Sequence, residues 1–297
     1  MPDDFPLLDA RGFQERYIDP APHDVPLQDT PLQIYPLAWS AKVIRYPTLI
    51  HRIPYNYLVV VREGFVEQQL DNQFYRIEKN DVILAREGQL SALLDMSPDV
   101  DGYFIHVANS VLPRVCPDEM QLKFFSIREH LSLRPDELAW VMRCADLLSE
   151  SATTDPRDFS VEFALLQALL RRIYGASNES FAPVNRGAEL CFQFKQLVYA
   201  SYRDQREVGF YAAELAVSEN YLNRCVKKLT GKSAKEYINE VAIYQSQVLL
   251  QDMTREIADV AYALNFSDPS YYGRLFKRVT GSTPREYRAG LSHDSSD

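Results

Sequence analysis

The pattern of apolar and polar positions changes character near residue 180. Before it, from about Leu32, apolar residues come in short runs rich in β-branched and aromatic side chains. Tyr57–Val61, Phe65–Leu70, Phe74–Ile77, Val82–Ala85, Leu90–Leu94 and Tyr103–Val107 are the clearest. Gly64, Asp71-Asn72, Asn80-Asp81, Glu87-Gly88 and Asp101-Gly102 punctuate them. Short strands separated by turn residues predict a small barrel or sandwich. Two helical stretches follow, Asp136–Leu148 and Val161–Ile173. Phe163, Leu166, Leu169, Leu170 and Ile173 make the second too apolar for a free surface helix. It either packs on the barrel or pairs with a second subunit. Residues 1–31, rich in Asp and Pro, read as an irregular lead-in, and residues 175–184 as a linker.

Beyond the linker the period becomes helical, and the chain repeats itself. Tyr221-Leu-Asn-Arg-Cys-Val-Lys-Lys-Leu-Thr-Gly231 and Tyr271-Tyr-Gly-Arg-Leu-Phe-Lys-Arg-Val-Thr-Gly281 share Tyr, Arg, Lys, a second base, Thr and Gly in the same order. In the first copy Leu222, Cys225, Val226 and Leu229 fall at helical spacing and form a buried stripe. Tyr272, Leu275, Phe276 and Val279 repeat it. Ser218 caps the first helix, Asp268 or Ser267 the second, and Gly231 and Gly281 stop them. A shorter helix precedes each copy, at Tyr211–Val217 and Ile257–Leu264, so each is a helix-turn-helix unit.

Asn220, Asn223, Arg224 and Lys227 occupy the outward face of the first copy; Ser270, Arg274 and Lys277 occupy that of the second. Arg bonds guanine bidentately, Asn bonds adenine and Lys neutralises phosphate. A single basic face is as readily a solvated surface as a DNA contact. Its repetition, together with its stripe, favours the DNA reading.

At these residues the chain resembles the AraC/XylS family of transcription regulators, over roughly Val184 to Arg288. The stretch Ile257–Arg288, with its Phe-Lys and Thr-Pro pairs, is similar to the family signature. The resemblance implies an all-α domain at 185–291, made of two helix-turn-helix subdomains joined by a helix from about Ala234 to Leu250. It implies that both recognition helices enter the major groove on one face of promoter DNA, about 34 Å apart. Asn220, Tyr221, Asn223, Arg224 and Lys227 would contact DNA in the first unit; Ser270, Tyr271, Arg274 and Lys277 in the second. RNA polymerase is an implied partner. The chain departs from the family at Ala242, where an Arg usually bridges the subdomains. It also departs at Asn265, in place of a turn Gly, and at Val226, in place of a Phe. The second unit is therefore expected to be the better-formed half.

The net charge of −9 argues against nucleic acid until it is divided. Asn185–Leu291 carries 15 Lys and Arg against 12 Asp and Glu, a balance of +3, whereas residues 1–184 carry 17 against 27. DNA binding is thus expected of the C-terminal half alone. Four scattered cysteines form no CxxC pair and no apolar run approaches a membrane span; reduced core thiols and a cytoplasmic location are expected.

Phe74–Gly88 resembles the cupin pattern, so residues 32–174 are expected to be a cupin-like β-barrel (a jelly roll) with C-terminal helices. His51, Tyr55, Tyr57, Arg86 and His106 are candidates to line its mouth and orient a small-molecule effector. The His-x-His of metal-binding cupins is absent, so neither a metal, a cofactor nor catalysis is expected. Dimerisation through 136–148 and 161–173 is favoured by the resemblance. The leading expectation is a sequence-specific transcription regulator. A cupin-type metal enzyme with a helical appendage, and a regulator that sequesters another protein, are the alternatives.

Overall fold

The computed structural model describes residues 10–19, 30–71, 73–116, 128–176 and 186–293. They fall into two compact units, one ending at Ala176 and the other beginning at Arg186.

The first unit is a two-sheet antiparallel sandwich. Its strands are β1 (Leu32–Pro36), β2 (His51–Arg52), β3 (Asn56–Glu63), β4 (Val66–Leu70), β5 (Gln73–Ile77), β6 (Asp81–Ala85), β7 (Leu90–Met96), β8 (Asp101–Val107) and β9 (His130–Ser132). One sheet runs β1-β8-β3-β6-β9 and the other β2-β7-β4-β5. The six strand runs read from the sequence lie in β3 to β8, while β1, β2 and β9 carry too few periodic residues to stand out. The unbroken apolar run of β3 has a structural reason. Tyr57, Val59 and Val61 face the space between the sheets, and Leu58 and Val60 face a helical layer on the other side.

That layer is α4 (Pro135–Thr153) and α5 (Phe159–Ala176), with short α3 (Leu112–Val115) beside them. Leu166, Leu169, Leu170 and Ile173 of α5 are fully buried against α4 and the five-stranded sheet. The apolar face expected to pack on the barrel or to pair two subunits is therefore spent on packing within the chain. Arg157, just before α5, donates to both carboxylate oxygens of buried Glu162 and to the Leu32 carbonyl, pinning the helix to β1.

The described part of the lead-in is ordered. Ala10–Tyr17 forms α1, and Ile18 pairs with Ile44 just after α2 (Leu37–Val43). The Tyr17 hydroxyl accepts a bond from the Leu49 amide at 3.0 Å. Likewise Gly175 and Ala176 belong to the end of α5 rather than to a linker; the rest of that stretch, to residue 185, lies outside the described residues.

The second unit is all helical: α6 (Arg186–Ser201), α7 (Val208–Glu214), α8 (Glu219–Thr230), α9 (Ala234–Leu250), α10 (Ile257–Ala263), α11 (Pro269–Thr280) and α12 (Pro284–His293). The connecting helix α9 is its axis. Every residue from Val241 to Leu250 is buried, because α6 and α8 pack on it from one side and α10 and α11 from the other. This burial explains an apolar helix with almost no amphipathic face.

Candidate functional site

The two recognition helices, α8 and α11, are built by the same local devices. The Ser218 hydroxyl accepts from the Tyr221 amide; the Asp268 carboxylate accepts from Ser270 and Tyr271. Each helix ends on a left-handed glycine, Gly231 at φ 76° and Gly281 at φ 87°. The preceding threonine donates back to the helix, Thr230 to the Val226 carbonyl and Thr280 to that of Phe276. Capping boxes at Ser233–Glu236 and Thr283–Glu286 then open the next helices, and the Ser233 and Thr283 amides hold Glu236 and Glu286 below the usual carboxylate range.

The similarity has one interruption. The first helices of the two units begin at Val208 and Ile257, 49 residues apart, but the recognition helices begin at Glu219 and Pro269, 50 apart. The second turn therefore has one more residue. Both turns use a left-handed residue, Ala216 at φ 52° and Asn265 at φ 56°. The asparagine fits this conformation as the sequence implied. The alanine, whose Cβ crowds the backbone there, gave no such warning.

Of the sequence-derived DNA candidates, Asn220, Arg224 and Lys227 are exposed on α8, and Ser270, Tyr271, Arg274 and Lys277 on α11. Tyr221 is half-buried, and the Arg224 guanidinium sits 5.1 Å from the centre of its ring. Arg274 lies 3.7 Å from Asp268 with both side chains well exposed, a pairing weak enough in water to release to a phosphate or base. Asn223 differs: its side-chain oxygen accepts from the Ala234 amide at 2.8 Å, tying α8 to the start of α9. Gly273, its counterpart, makes no such tie. The stripe also needs one correction. Leu222, Cys225 and Val226 are buried, but Leu229 is 50% exposed. Val279, its equivalent, packs on the core, while Tyr272 and Phe276 are fully buried like Leu222 and Val226 in the first helix-turn-helix unit.

The bridge between the two helix-turn-helix units is Arg206, a residue that the sequence did not single out. It projects from the loop between α6 and α7. Its guanidinium donates to Asn239 Oδ1 on α9 and to the Leu264 carbonyl in the second turn, and lies 3.8 Å from the Phe266 ring centre. Next to it Asn265 Nδ2 donates to the Asp204 carbonyl. Ala242, the position where the family would carry a bridging Arg, is fully buried in the apolar centre of α9. The cation that spans the units has come from another element.

A cavity of about 130 Å³ lies between the two sheets of the first unit. Four of the five candidates, His51, Tyr55, Tyr57 and His106, line it. Arg86 does not: it is buried elsewhere and pairs with Glu129 at 3.1 Å. Phe13 of α1 and Trp39 of α2 complete the wall. Burial lowers the His51 pKa, against the opposing effect of the bond that its Nδ1 donates to the Leu49 carbonyl. Burial pushes Tyr57 up to about 12, although its hydroxyl is bonded to Ser91 and Gln68. Among the described residues no group of three or more His, Cys, Asp or Glu could hold a metal ion, and no helix is long and apolar enough to cross a membrane.

Two capped recognition helices on one buried connector define a paired helix-turn-helix module of the DNA-binding class. Residues 211–290 match the helix-turn-helix domain family. The chain is 30% identical over 102 residues to the Msm operon regulatory protein of Streptococcus mutans, covering 34% of this chain and 37% of that protein. It is 32% identical over 135 residues to the arabinose operon regulatory protein of Escherichia coli, covering 45% of each. The match thus spans less than half the length of these relatives. The structure of ToxT from Vibrio cholerae aligns with 86% of this chain and 97% of its own at 17% identity, with a TM-score of 0.44. The helix-turn-helix match falls on the C-terminal unit, whose residues 211–290 carry that domain.

Proposed function

We propose that this chain is a sequence-specific DNA-binding transcription regulator whose N-terminal unit takes a small-molecule effector in its internal cavity. One observation carries the reading. Two recognition helices with matching caps and stops expose Arg224, Lys227, Arg274 and Lys277 from a single buried connector. A residue-by-residue match of cap, stop and outward base is not needed for a solvated surface, but it is needed for two helices that enter successive major grooves of promoter DNA. Arg224 and Arg274 read bases, and the lysines hold phosphates. The outward residues of the two units differ, so the site read by one protomer is asymmetric. In this reading the N-terminal sandwich is a cupin-like barrel, and no catalysis is involved. The chain works beside RNA polymerase in the bacterial cytoplasm. It pairs as a homodimer through the outer face of α4 and α5, where Leu147 and Val161 are exposed.

The test is an unbiased selection of bound genomic fragments with the full chain and with Arg224→Ala and Arg274→Ala. Each loss of a guanine contact is expected to cost about 1–3 kcal/mol and relax the sequence at one position. Equal affinity and selectivity in both variants would sink the assignment.

A further inference from the structure

The two recognition helices hold their outward arginines in different ways. Arg224 and Arg274 occupy equivalent places, each three residues after a tyrosine and six after the residue that caps its helix. Side chains on a helix lean toward its N-terminus, so each guanidinium reaches back toward tyrosine and cap. In α8 the cap is Ser218, which carries no charge, and the Arg224 guanidinium lies 5.1 Å from the centre of the Tyr221 ring. In α11 the cap is Asp268, and Arg274 Nη2 lies 3.7 Å from Asp268 Oδ2. Tyr271, the counterpart of Tyr221, has the Phe266 ring as a neighbour, with centres 6.2 Å apart.

The Asp268 carboxylate is a fixed charge. Its Oδ1 accepts from the Ser270 amide at 2.8 Å and its Oδ2 from the Tyr271 amide at 3.1 Å. An exposed ion pair contributes little in water, where two mobile side chains must be held together against screening. Here one partner is short and already held by the helix backbone. At 3.7 Å the contact is an attraction between charges rather than a hydrogen bond, so it orients the guanidinium without using up a donor. The N-terminal end of a recognition helix is the part that meets base edges in the groove. Displacing water there strengthens the same attraction. Guanine O6 and N7 take two of the five guanidinium N–H donors, and the remaining donors still face the carboxylate.

We infer that Asp268 is a specificity-determining residue, whose carboxylate positions Arg274 on one guanine without itself needing to touch a base. The α8 helix lacks this device, so Arg224 discriminates less sharply than Arg274. The inference rests on the DNA reading above and adds to it a positioning residue.

The test uses the full chain. Site selection with the unaltered protein and with Arg274→Ala locates the base pair that Arg274 reads. Affinities for duplexes with that base pair kept or replaced then give a discrimination ratio. Asp268→Asn keeps a good capping acceptor and removes the charge, so Tm should hold while the ratio falls about three- to tenfold. A cap with a purely structural role would lower Tm and weaken all duplexes alike. In an Arg274→Ala background the same substitution should leave the ratio where it is. The reciprocal change, Ser218→Asp, should raise the ratio at the base pair that Arg224 reads, and it decides the matter if Asp268→Asn fails to fold. An unchanged ratio in a stable Asp268→Asn protein, a fall that persists without Arg274, or no gain from Ser218→Asp overturns the inference and leaves the DNA reading standing. If Arg274→Ala relaxes no position, the base assignment fails and the inference fails with it.

Discussion

Arg206 donates to Asn239 Oδ1, so a loop of the first helix-turn-helix unit is bonded to the connecting helix at the point where that guanidinium also reaches the second unit's turn. Burial lowers the Arg206 pKa to about 10, which leaves it charged at neutral pH, and its partners are an amide oxygen, a carbonyl and the Phe266 ring. Arg206→Ala is expected to cost about 1.5–3 kcal/mol, the range for hydrogen bonds to a charged group. Arg206→Lys keeps the charge but loses the planar fork and should fall between. The denaturant midpoint measures both. On DNA, the Ala variant should lose discrimination between the native spacing of half-sites and one lengthened by a base pair. A variant as stable and as spacing-selective as the parent would show that the clamp is idle.

In the proposed reading Asn223 and Arg224, neighbours in sequence, do different work. Asn223→Ala removes the acceptor for the Ala234 amide and is expected to cost about 1 kcal/mol of stability while leaving base preference intact. Arg224→Ala should do the reverse, with little change in unfolding and a relaxed binding site. Thermal unfolding paired with a binding-site selection separates the two. Equal effects of both substitutions on selectivity would return Asn223 to the base-reading surface.

Ala216 sits at φ 52°, where a Cβ is crowded and glycine is at ease. Ala216→Gly is expected to raise stability by about 1 kcal/mol, the strain relieved less the extra freedom that glycine gives the unfolded chain. Asn265→Gly, at φ 56°, should not do so, since asparagine tolerates the conformation and its side chain holds the Asp204 carbonyl. A destabilised Ala216→Gly protein would contradict this account of the first turn.

His51 makes the sandwich sensitive to acid. The unfolded chain takes up this proton near 6.5, whereas burial holds the folded-state pKa lower. Below about 6.5 the folded protein therefore binds fewer protons than the unfolded one. Its contribution is complete above that pH and is lost as pH falls from there toward the folded value, by no more than ~1.4 kcal/mol per pH unit. Both tryptophans of the chain, Trp39 and Trp140, lie in the N-terminal unit, so their fluorescence follows its unfolding in the intact protein. His51→Gln should flatten the decline in denaturant midpoint between pH 7 and pH 5. An unchanged slope would assign the acid sensitivity to other groups.

What the sequence revealed follows from where local rules decide. Caps, stops and helical spacing are local, so Ser218, Asp268, Gly231 and Gly281 were readable in place, whereas the connecting helix from Ala234 to Leu250 came from the family resemblance. Strands β3 to β8 announced themselves by β-branched runs between turn residues. Direction in space was not readable. Leu229 keeps the period of a buried stripe yet is exposed. Arg86 follows β6 as a rim residue would, but turns to Glu129 rather than to the cavity. Trp39, on a seven-residue helix, gave no sign that its indole would border the cavity. Arg206 looked like any loop arginine because its partners come from α9 and from the turn some sixty residues away in sequence.

The additional residue in the second turn restricts how the two halves can be exchanged. Grafting α8 in place of α11, helix for helix, would join it to a turn of five residues instead of four, Leu264–Asp268 in place of Leu215–Ser218. Each recognition helix is seated by its own turn, through Val217 in one unit and buried Phe266 in the other. The transferable cassette is therefore turn plus helix, and a designer rewriting the sequence read by either half should change outward side chains in place or move that whole cassette.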